Sequence, residues 1–236
     1  MATKLSKTQV DRLGDRLRKG NITEADLRLL DQYRRAFSEE YEAVVEAIRK
    51  ELGLEPTGRP AKSTTSISDK LRRESIRLTQ IQDIAGCRLI VPDIANQEAV
   101  VQSLTSLFEH TTISDRRQKP SHGYRAVHVI VNSRGKLIEI QVRTALQHIW
   151  AELSEKFSDV IDPSIKYGGG GEAFQSLLTV ASTAVFELES LETEVADQTA
   201  DFQERFSSLR QEVFNSLRDT IGKVEKFKGE GDDISD

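Results

Sequence analysis

The sequence predicts a mixed α/β fold, in which a β-sheet carries packed helices and further helices extend it at both ends. In the middle of the chain, short β-branched runs alternate with amphipathic stretches in the order strand, helix, strand, strand, helix. The flanking zones keep helical spacing throughout. The predicted segments are an N-terminal helical segment (1–53), a core (54–167), C-terminal helices (172–227) and an acidic tail (228–236).

The amino-acid composition excludes several classes of protein. The chain has 236 residues and a formal net charge of −5, which argues against a general nucleic-acid coat protein. Its single cysteine, Cys87, excludes a disulfide framework and a cysteine-rich zinc site. No apolar run reaches the length of a bilayer, and the first residues lack the apolar region of a signal peptide. We therefore expect a soluble, cytoplasmic protein with no membrane partner.

The N-terminal zone predicts helices over about residues 7–52. Thr23 and Asp26 have the spacing of a capping box, which marks a helix start. Apolar residues then follow at helical spacing: Leu27, Leu30, Phe37, Tyr41, Val44, Val45 and Ile48. Gly53 ends this pattern, and residues 54–60 have the chemistry of turns.

The middle zone contains the predicted sheet. We expect strands where β-branched residues cluster and helices where the apolar spacing lengthens. The predicted elements are a helix Ser66–Arg77, a strand Cys87–Val91 closed by Pro92, a helix Asn96–Phe108, strands Tyr124–Asn132 and Lys136–Arg143 joined by a hairpin at 132–135, and a helix Ala145–Val160.

After the glycines at 168–171 the pattern changes to near-heptad spacing, from Phe174 to Val224. This spacing predicts two long helices, running antiparallel. Their apolar faces could pack on the core or form a self-association surface, and both interpretations stay open. The tail from residue 228 is rich in glycine and aspartate, so we expect disorder there.

The most informative stretch is the predicted strand that ends at Arg143. Glu139, Gln141 and Arg143 alternate with apolar residues, so all three share one face of the strand. A charged row on one face of a buried strand is costly unless something bound there satisfies it. The row therefore predicts a site for a charged ligand, with phosphate and a metal ion as the candidates.

A basic helix and an aspartate could complete such a site. Ser66, Lys70 and Arg73 lie at i, i+4 and i+7, on one helical face that could hold a polyphosphate or could simply be solvated. Asp83 precedes a predicted strand. Mg²⁺ needs one or two carboxylates besides ligand phosphates, so Asp83 and Glu139 could hold it together. A turn or capping role for Asp83 is the alternative.

An aromatic residue beside cations suggests a place for a nucleobase. Tyr124, Ala126 and His128 would share one strand face, and a tyrosine ring near arginines could stack on a base. An ordinary cross-strand aromatic would also explain Tyr124. The four histidines include no HExxH pattern, so a histidine-based metallohydrolase is not expected.

Five ordered motifs carry a resemblance to a known family: GRPAK with the following IxxKL, QDIAGCRLIV, HGYRAVH, EIQVRT and HxWAE. The combination resembles the synthetase domain of the RelA/SpoT family, and most closely its stand-alone small alarmone synthetases. The resemblance implies a nucleotidyltransferase-like mixed sheet flanked by helices. It also implies transfer of the β,γ-pyrophosphate of ATP to the 3′-hydroxyl of GDP or GTP, with Mg²⁺ as cofactor.

The resemblance also implies roles for individual residues. Catalysis and Mg²⁺ binding fall to Asp83 and Glu139. The implied ATP contacts are Arg59, Lys62, Ser66, Lys70, Arg73 and Arg88. The implied acceptor contacts are Tyr124, His128, Gln141, Arg143, His148 and Lys119.

The function and the oligomeric state stay open at this stage. The family's toxic members modify the 3′ end of tRNA or adenine nucleotides, and Arg116, Arg117 and Lys119 near Tyr124 could serve such an RNA acceptor. A degenerate fold that only binds nucleotides or a partner is a third interpretation. Family members also assemble through C-terminal helices, which implies that this chain could form a homo-oligomer.

Overall fold

The computed structural model describes residues 5–195 and 197–232 of the chain. The α-helices are α1 (Lys7–Lys19), α2 (Glu24–Arg35), α3 (Ser38–Leu52), α4 (Thr64–Arg73), α5 (Ile94–Leu107), α6 (Ala145–Val160), α7 (Glu172–Val195) and α8 (Ala200–Asp232). The strands are β1 (Thr57–Arg59), β2 (Ala85–Val91), β3 (Thr111–Asp115), β4 (Val127–Ser133) and β5 (Lys136–Thr144). Turns of 3-10 helix lie at Leu78–Gln80 and Ile165–Tyr167.

The described strands form one sheet in the order β1-β2-β5-β4-β3. β4 and β5 are a hairpin with a two-residue turn at Arg134 and Gly135, whose φ angles are 46° and 80°. The Gly135 N–H donates to the side-chain oxygen of Asn132 at 3.0 Å, which closes the turn. The predicted mixed α/β fold is confirmed, and the hairpin lies at its predicted position.

The edge strands β1 and β3 were not predicted from the sequence. The prediction assigned residues 54–60 to turns, but Thr57–Arg59 pairs antiparallel with β2. β3 is exposed along most of its length, so it lacks the alternation that marks a half-buried strand. Edge strands pair on one side only, so the neighbouring strand determines their position more than their own sequence does.

The helix α4 ends at Arg73, four residues earlier than predicted. Glu74 has extended dihedral angles (φ −109°, ψ 134°), which stops the helix. Arg18 of α1 donates to the carbonyl of Leu71 at 2.7 Å and to the carbonyl of Ile76. This guanidinium satisfies carbonyl groups at the helix end, and it reaches them from a distant part of the sequence.

The strand β4 begins at Val127, so the prediction that Tyr124 lies in this strand is wrong. Ser121 and Tyr124 exchange backbone hydrogen bonds of 3.3 and 3.0 Å around a tight turn. Its central residues, His122 and Gly123, both have positive φ angles. A Cβ at Gly123 would lie 2.6 Å from the Trp150 ring, so glycine is required there. Tyr124 therefore does not share a strand face with His128.

The chain forms two compact units. The first comprises Met1–Leu89, Val101–Ser114 and His128–Gln141, and the second comprises Ile90–Val100, Asp115–Val127 and Val142–Asp236. The predicted segments 1–53, 54–167, 172–227 and 228–236 stay a prediction.

The first unit buries the apolar faces of its helices and strands. Thr23 and Asp26 form the predicted capping box, and Asp26 also accepts from Arg16 at 2.6 Å. Ile138 and Ile140 of β5 are completely buried, as the alternating pattern predicts. The other fully buried large side chains of this unit are Leu13, Leu17, Leu30, Ile48, Ile67, Leu71, Leu78, Ile84 and Leu104.

The second unit is built on α6, whose predicted bounds match the structure. Its core includes Trp150 and Phe157 of α6 together with apolar residues of α7 and α8. The Trp150 indole N–H donates to the Leu178 carbonyl at 2.8 Å. The long C-terminal helices are therefore confirmed. They also expose large apolar side chains, so a self-association surface stays a prediction: Leu177, Val180, Leu191, Phe202 and Leu209.

The helix α8 extends to Asp232, so residues 228–232 are helical where composition predicts disorder. Extending an existing helix costs far less than nucleating one, which explains this difference. Residues 233–236 of the predicted tail lie outside the described residues. Within the described part of the chain, no helix combines the length and apolarity needed to cross a bilayer.

Cys87 offers a test of the packing around β2. Its side chain is 4% exposed, and burial, with a contribution from the charge of Glu139, raises the pKa of the thiol to about 12. We expect a thiol reagent at mildly alkaline pH to label the native protein only as fast as it unfolds, because the reactive thiolate is scarce and shielded. Labelling at the rate of a small free thiol, without denaturant, would contradict this packing.

Candidate active site

One face of the sheet in the first unit carries a row of polar side chains. Arg59 of β1 lies opposite Gly86 of β2. A Cβ at Gly86 would lie 3.3 Å from the Cβ of Glu139 on β5. Opposed residues point to the same face of a sheet, so Arg59 and Glu139 share this face, and so does Arg88, two residues along β2. The glycine at position 86 places no side chain between the arginine and the carboxylate and lets β2 approach β5 closely.

The carboxylate of Glu139 is held on both oxygens. His128 Nδ1 lies 3.0 Å from Oε1, and the Gln141 side-chain amide donates to Oε2 at 2.8 Å. Burial and the charge of Asp83 raise the pKa of Glu139, but His128 and Gln141 outweigh them and hold this pKa below its usual range. Glu139 is therefore ionised at neutral pH, and it lies within the electrostatic field of Asp83.

Asp83 lies just before β2 and is paired with two lysines. Lys62 Nζ is 2.7 Å from Oδ2 and Lys70 Nζ is 2.9 Å from Oδ1. Burial raises the pKa of Asp83, but the two ammonium groups dominate and lower this pKa to about 2. Both predicted acids are thus ionised, and the first unit brings both predicted lysines to Asp83.

Local structure explains how these lysines reach Asp83. The Lys62 N–H donates to the Ile84 carbonyl at 2.6 Å, which pins the loop after β1 beside the start of β2. Ser63 then caps α4, because its hydroxyl accepts from the Ser66 N–H at 3.2 Å. Lys70 follows in the second turn of the helix, on the side that faces Asp83.

The other predicted ATP contacts lie on the same elements. Ser66 is in the first turn of α4, and its hydroxyl accepts from Ser63 at 2.8 Å. Arg73 ends α4 and lies 3.3 Å from the carboxylate of Glu74. Arg59 and Arg88 lie on the polar sheet face described above. The first unit therefore contains all the residues predicted to bind ATP.

The predicted acceptor residues divide between the two units. Gln141 and His128 lie at Glu139 in the first unit, whereas Tyr124 and Arg143 meet in the second. The Arg143 guanidinium donates to the Tyr124 hydroxyl at 3.0 Å and lies 4.9 Å from the ring centroid. Arg116 lies 6.0 Å from the same ring. Two guanidinium groups therefore lie within 6.0 Å of the Tyr124 ring centroid.

The remaining predicted acceptor residues are less closely grouped. His148 lies on α6, with Nε2 3.5 Å from Glu152, and Lys119 is an exposed loop residue. Arg117 pairs with Asp115 at 2.5 Å and with Glu98 at 2.7 Å. The hydrogen bond to Asp115 in particular raises the pKa of Arg117. Its charge is therefore neutralised locally.

The sequence interpretation did not identify His128 as the partner of Glu139. A signal was present, because strand pairs can be counted outward from the two-residue hairpin turn. That count places His128 opposite Gln141 and diagonal to Glu139, within reach of a long side chain. Ser63, which caps α4, and Arg18, which holds its end, were also missed.

The donor set can be compared with the needs of a metal ion. Among the described residues, no group of three or more histidine, cysteine, aspartate or glutamate side chains is arranged to hold a metal. Mg²⁺ is commonly bound by one or two carboxylates together with ligand phosphates and water. Asp83 and Glu139 are both ionised, with Glu139 in the field of Asp83, and they fit this second kind of site.

Fold and site together define an α/β protein whose acids and cations suit a phosphate-rich ligand. A family model described as a region found in RelA / SpoT proteins matches residues 58–158. The chain is 30% identical over 170 residues to the GTP pyrophosphokinase YjbM of Bacillus subtilis, covering 66% of this chain and 77% of that protein. The chain belongs to the RelA/SpoT family.

Other relatives extend this comparison. An uncharacterized protein of Mycobacterium tuberculosis is 36% identical over 111 residues, which are 45% of this chain and 41% of that relative's length. Small alarmone synthetase 1 from Bacillus subtilis, solved with its product pppGpp, aligns with a TM-score of 0.52 at 26% identity, over 74% of this chain and 97% of that one. A GTP pyrophosphokinase family protein from Streptococcus pneumoniae shares the fold, with a TM-score of 0.52 at 24% identity, over 78% of this chain and 98% of that one.

Asp83→Asn tests the ion cluster. The pKa of Asp83 is about 2 in the folded protein against 3.8 as its ordinary value, so the ionised group stabilises the fold by about 2 kcal/mol at neutral pH. A carboxyl group whose pKa is lowered in the folded protein stabilises the fold at pH values above its ordinary pKa. That stabilisation is lost as the pH falls from ~4 to ~2. Urea unfolding should therefore show a gap between wild type and variant that shrinks below about pH 4.

The control for this experiment is Asp69→Asn, which changes a half-exposed aspartate on the neighbouring helix α4. It should change the free energy of unfolding little at any pH. A stability gap for Asp83→Asn that stays constant with pH would mean that the Asp83 charge does not contribute as described.

Proposed function

We propose that this protein is a pyrophosphokinase that transfers the β,γ-pyrophosphate of ATP to the 3′-hydroxyl of GDP or GTP. The observation that carries the proposal is the cluster in which Lys62 and Lys70 hold the ionised Asp83 at 2.7 and 2.9 Å, with ionised Glu139 in the field of Asp83. A triphosphate and a divalent cation need cations and acids in this combination. The named relatives, GTP pyrophosphokinases, support the same reaction.

In this proposal the first unit binds ATP. Lys62 and Lys70 can each donate to phosphate oxygens with the ammonium groups that now contact Asp83. Ser66 in the first turn of α4 places a hydroxyl where a helix N-terminus attracts phosphate. Arg59, Arg88 and Arg73 add guanidinium groups for the phosphates and the base. Mg²⁺, held by Asp83 and Glu139, would neutralise charge that develops on the phosphates.

The reaction breaks one bond and forms another at the β-phosphorus of ATP. The acceptor 3′-oxygen forms the new bond to this phosphorus, while the bond to the oxygen of the α-phosphate breaks and AMP leaves with the electron pair. The transition state of such transfers is loose, so the hydroxyl proton is lost late. A weak base is then sufficient, and Glu139, with its lowered pKa, can accept that proton.

Tyr124 and the arginines near its ring are the acceptor contacts that we propose. The Tyr124 ring can stack on a guanine base, while Arg143 and Arg116, at 4.9 and 6.0 Å from its centroid, can meet the acceptor phosphates. An RNA acceptor would need an extended basic surface. Arg117 does not contribute one, because Asp115 and Glu98 neutralise its charge. The guanine nucleotide is therefore the acceptor that we propose, and the tRNA and adenine alternatives are not favoured.

Transfer of label tests the reaction. Purified protein with γ-labelled ATP and Mg²⁺ should place label on GDP or GTP. Glu139→Gln should lower this rate on the order of a thousandfold, about 4 kcal/mol of barrier, because the neutral amide binds a divalent cation much more weakly than a carboxylate and cannot accept the proton. The control Glu46→Gln changes an exposed acid on α3 and should keep the wild-type rate.

Two results would contradict the proposal. Full activity of Glu139→Gln would remove this residue from the mechanism. Label on tRNA or an adenine nucleotide, with none on guanine nucleotides, would show that the acceptor differs from the one proposed.

Tyr124 variants test the acceptor contact. Tyr124→Ala should raise the KM for GDP or GTP about 5- to 150-fold, because base stacking on an aromatic ring contributes about 1–3 kcal/mol. Tyr124→Phe loses the hydrogen bond with Arg143 but keeps the ring. Because the ring is the part that stacks on the base, the KM of this variant should lie near the wild-type value. Steady-state kinetics with the ATP concentration varied separately completes the test. An equal rise in the KM for ATP would argue against a role in acceptor binding alone.

A further inference from the structure

The helix α7 lies outside residues 58–158, which the family model matches, yet it buries polar side chains against the elements that carry Tyr124 and Arg143. Ser182 and Glu189 are each 3% exposed. They are seven residues apart, two turns of helix, so they share one face of α7. A buried carboxylate is costly, and burial raises the pKa of Glu189 despite its hydrogen bonds.

Glu189 holds the junction between β5 and α6. It accepts a hydrogen bond from the Thr144 hydroxyl and one of 2.9 Å from the Gln147 side-chain amide. Thr144 is the N-cap of α6, and Gln147 completes its capping box. Thr144 directly follows Arg143, so Glu189 fixes the residue next to the guanidinium that contacts Tyr124.

A second buried amide holds the other side of Arg143. The side chain of Gln97, on α5, is completely buried. It donates to the Val142 carbonyl and to the Gln147 side-chain oxygen, both at 2.8 Å. The residues immediately before and after Arg143 are thus held by hydrogen bonds from Gln97 and to Glu189. Both of these side chains also bind the Gln147 side chain. Arg143 itself is only 3% exposed.

Ser182 holds the turn that presents Tyr124. Its hydroxyl donates to the Gly123 carbonyl at 2.6 Å and accepts from Arg125 Nε at 3.1 Å. The Arg125 guanidinium also lies 4.4 Å from the Phe186 ring centroid, again on α7. Residues on both sides of Tyr124 are therefore anchored to the same helix that anchors Thr144.

We propose that Glu189 and Ser182 of α7 are positioning residues for the acceptor: through Thr144 and Gly123 they hold Arg143 and Tyr124 in the geometry that receives the guanine nucleotide. This inference rests on the proposed function for the identity of the ligand. Glu189 and Ser182 contact neither substrate. They act by fixing the two backbone segments whose side chains do.

Steady-state kinetics of Glu189→Ala and Ser182→Ala provide the test. Each variant should raise the KM for GDP or GTP ~10-fold or more, because small displacements of positioning groups have large effects. The KM for ATP should stay within about twofold of wild type, because no described contact of either residue reaches the ATP-binding side chains. The matched control is Glu187→Ala, which removes an exposed carboxylate from the same helix.

A conservative variant separates positioning from charge. Glu189→Gln can accept from Gln147 through its carbonyl and donate to the Thr144 hydroxyl through its amide. It should therefore restore most of the acceptor affinity lost in Glu189→Ala. Equal changes in both KM values, or a lowered Tm with both KM values unchanged, would indicate a merely structural role and overturn the inference.

The rate of amide hydrogen exchange tests the positioning role without any assay of activity. The Gln147 N–H donates to the Thr144 hydroxyl at 3.1 Å, so its exchange reports on the junction directly. Glu189→Ala should speed this exchange and Glu187→Ala should not. Failure of the wild type to transfer label to guanine nucleotides would contradict the proposed function. Unchanged exchange at the Gln147 N–H in Glu189→Ala would overturn the positioning role of Glu189, whatever the activity.

Discussion

Two carboxylates of like charge, Asp83 and Glu139, stay ionised in largely buried positions, and the surrounding side chains compensate for that charge. Burial raises the pKa of each acid, and the charge of Asp83 raises the pKa of Glu139 further. Lys62 and Lys70 outweigh burial at Asp83, and His128 and Gln141 outweigh both effects at Glu139. The site therefore keeps the negative charge that a divalent cation needs and the ammonium groups that a triphosphate needs.

Close approach of three strands makes this arrangement possible. A Cβ at Gly58 would lie 2.4 Å from the Gly86 carbonyl oxygen, and one at Gly86 would lie 2.8 Å from the Glu139 carbonyl oxygen. Real Cβ atoms do not come so close, so any side chain at either glycine would push β1, β2 and β5 apart. Gly86 in particular lies on the face shared by Arg59 and Glu139, and it places no side chain between them.

Periodicity predicted the elements that bury one face. The bounds of α6 match the structure, and the apolar residues of β5 alternate with the polar row as expected. It failed at β1 and β3, which are edge strands with no buried residue. It also failed at Tyr124, where a turn with two positive φ angles precedes β4, because β-branched residues nearby extend the apparent strand. The roles assigned to individual site residues remain predictions.

The sequence by itself determined the helices, the three inner strands, the polar row on β5 and the motifs that mark the family, because each depends on residues that are neighbours along the chain. Only the tertiary structure decided which charged groups meet. Lys62 and Asp83 are 21 positions apart, and Thr144 and Glu189 are 45 apart. Such pairs depend on how strands pair and helices pack, and buried groups need partners wherever the fold brings them.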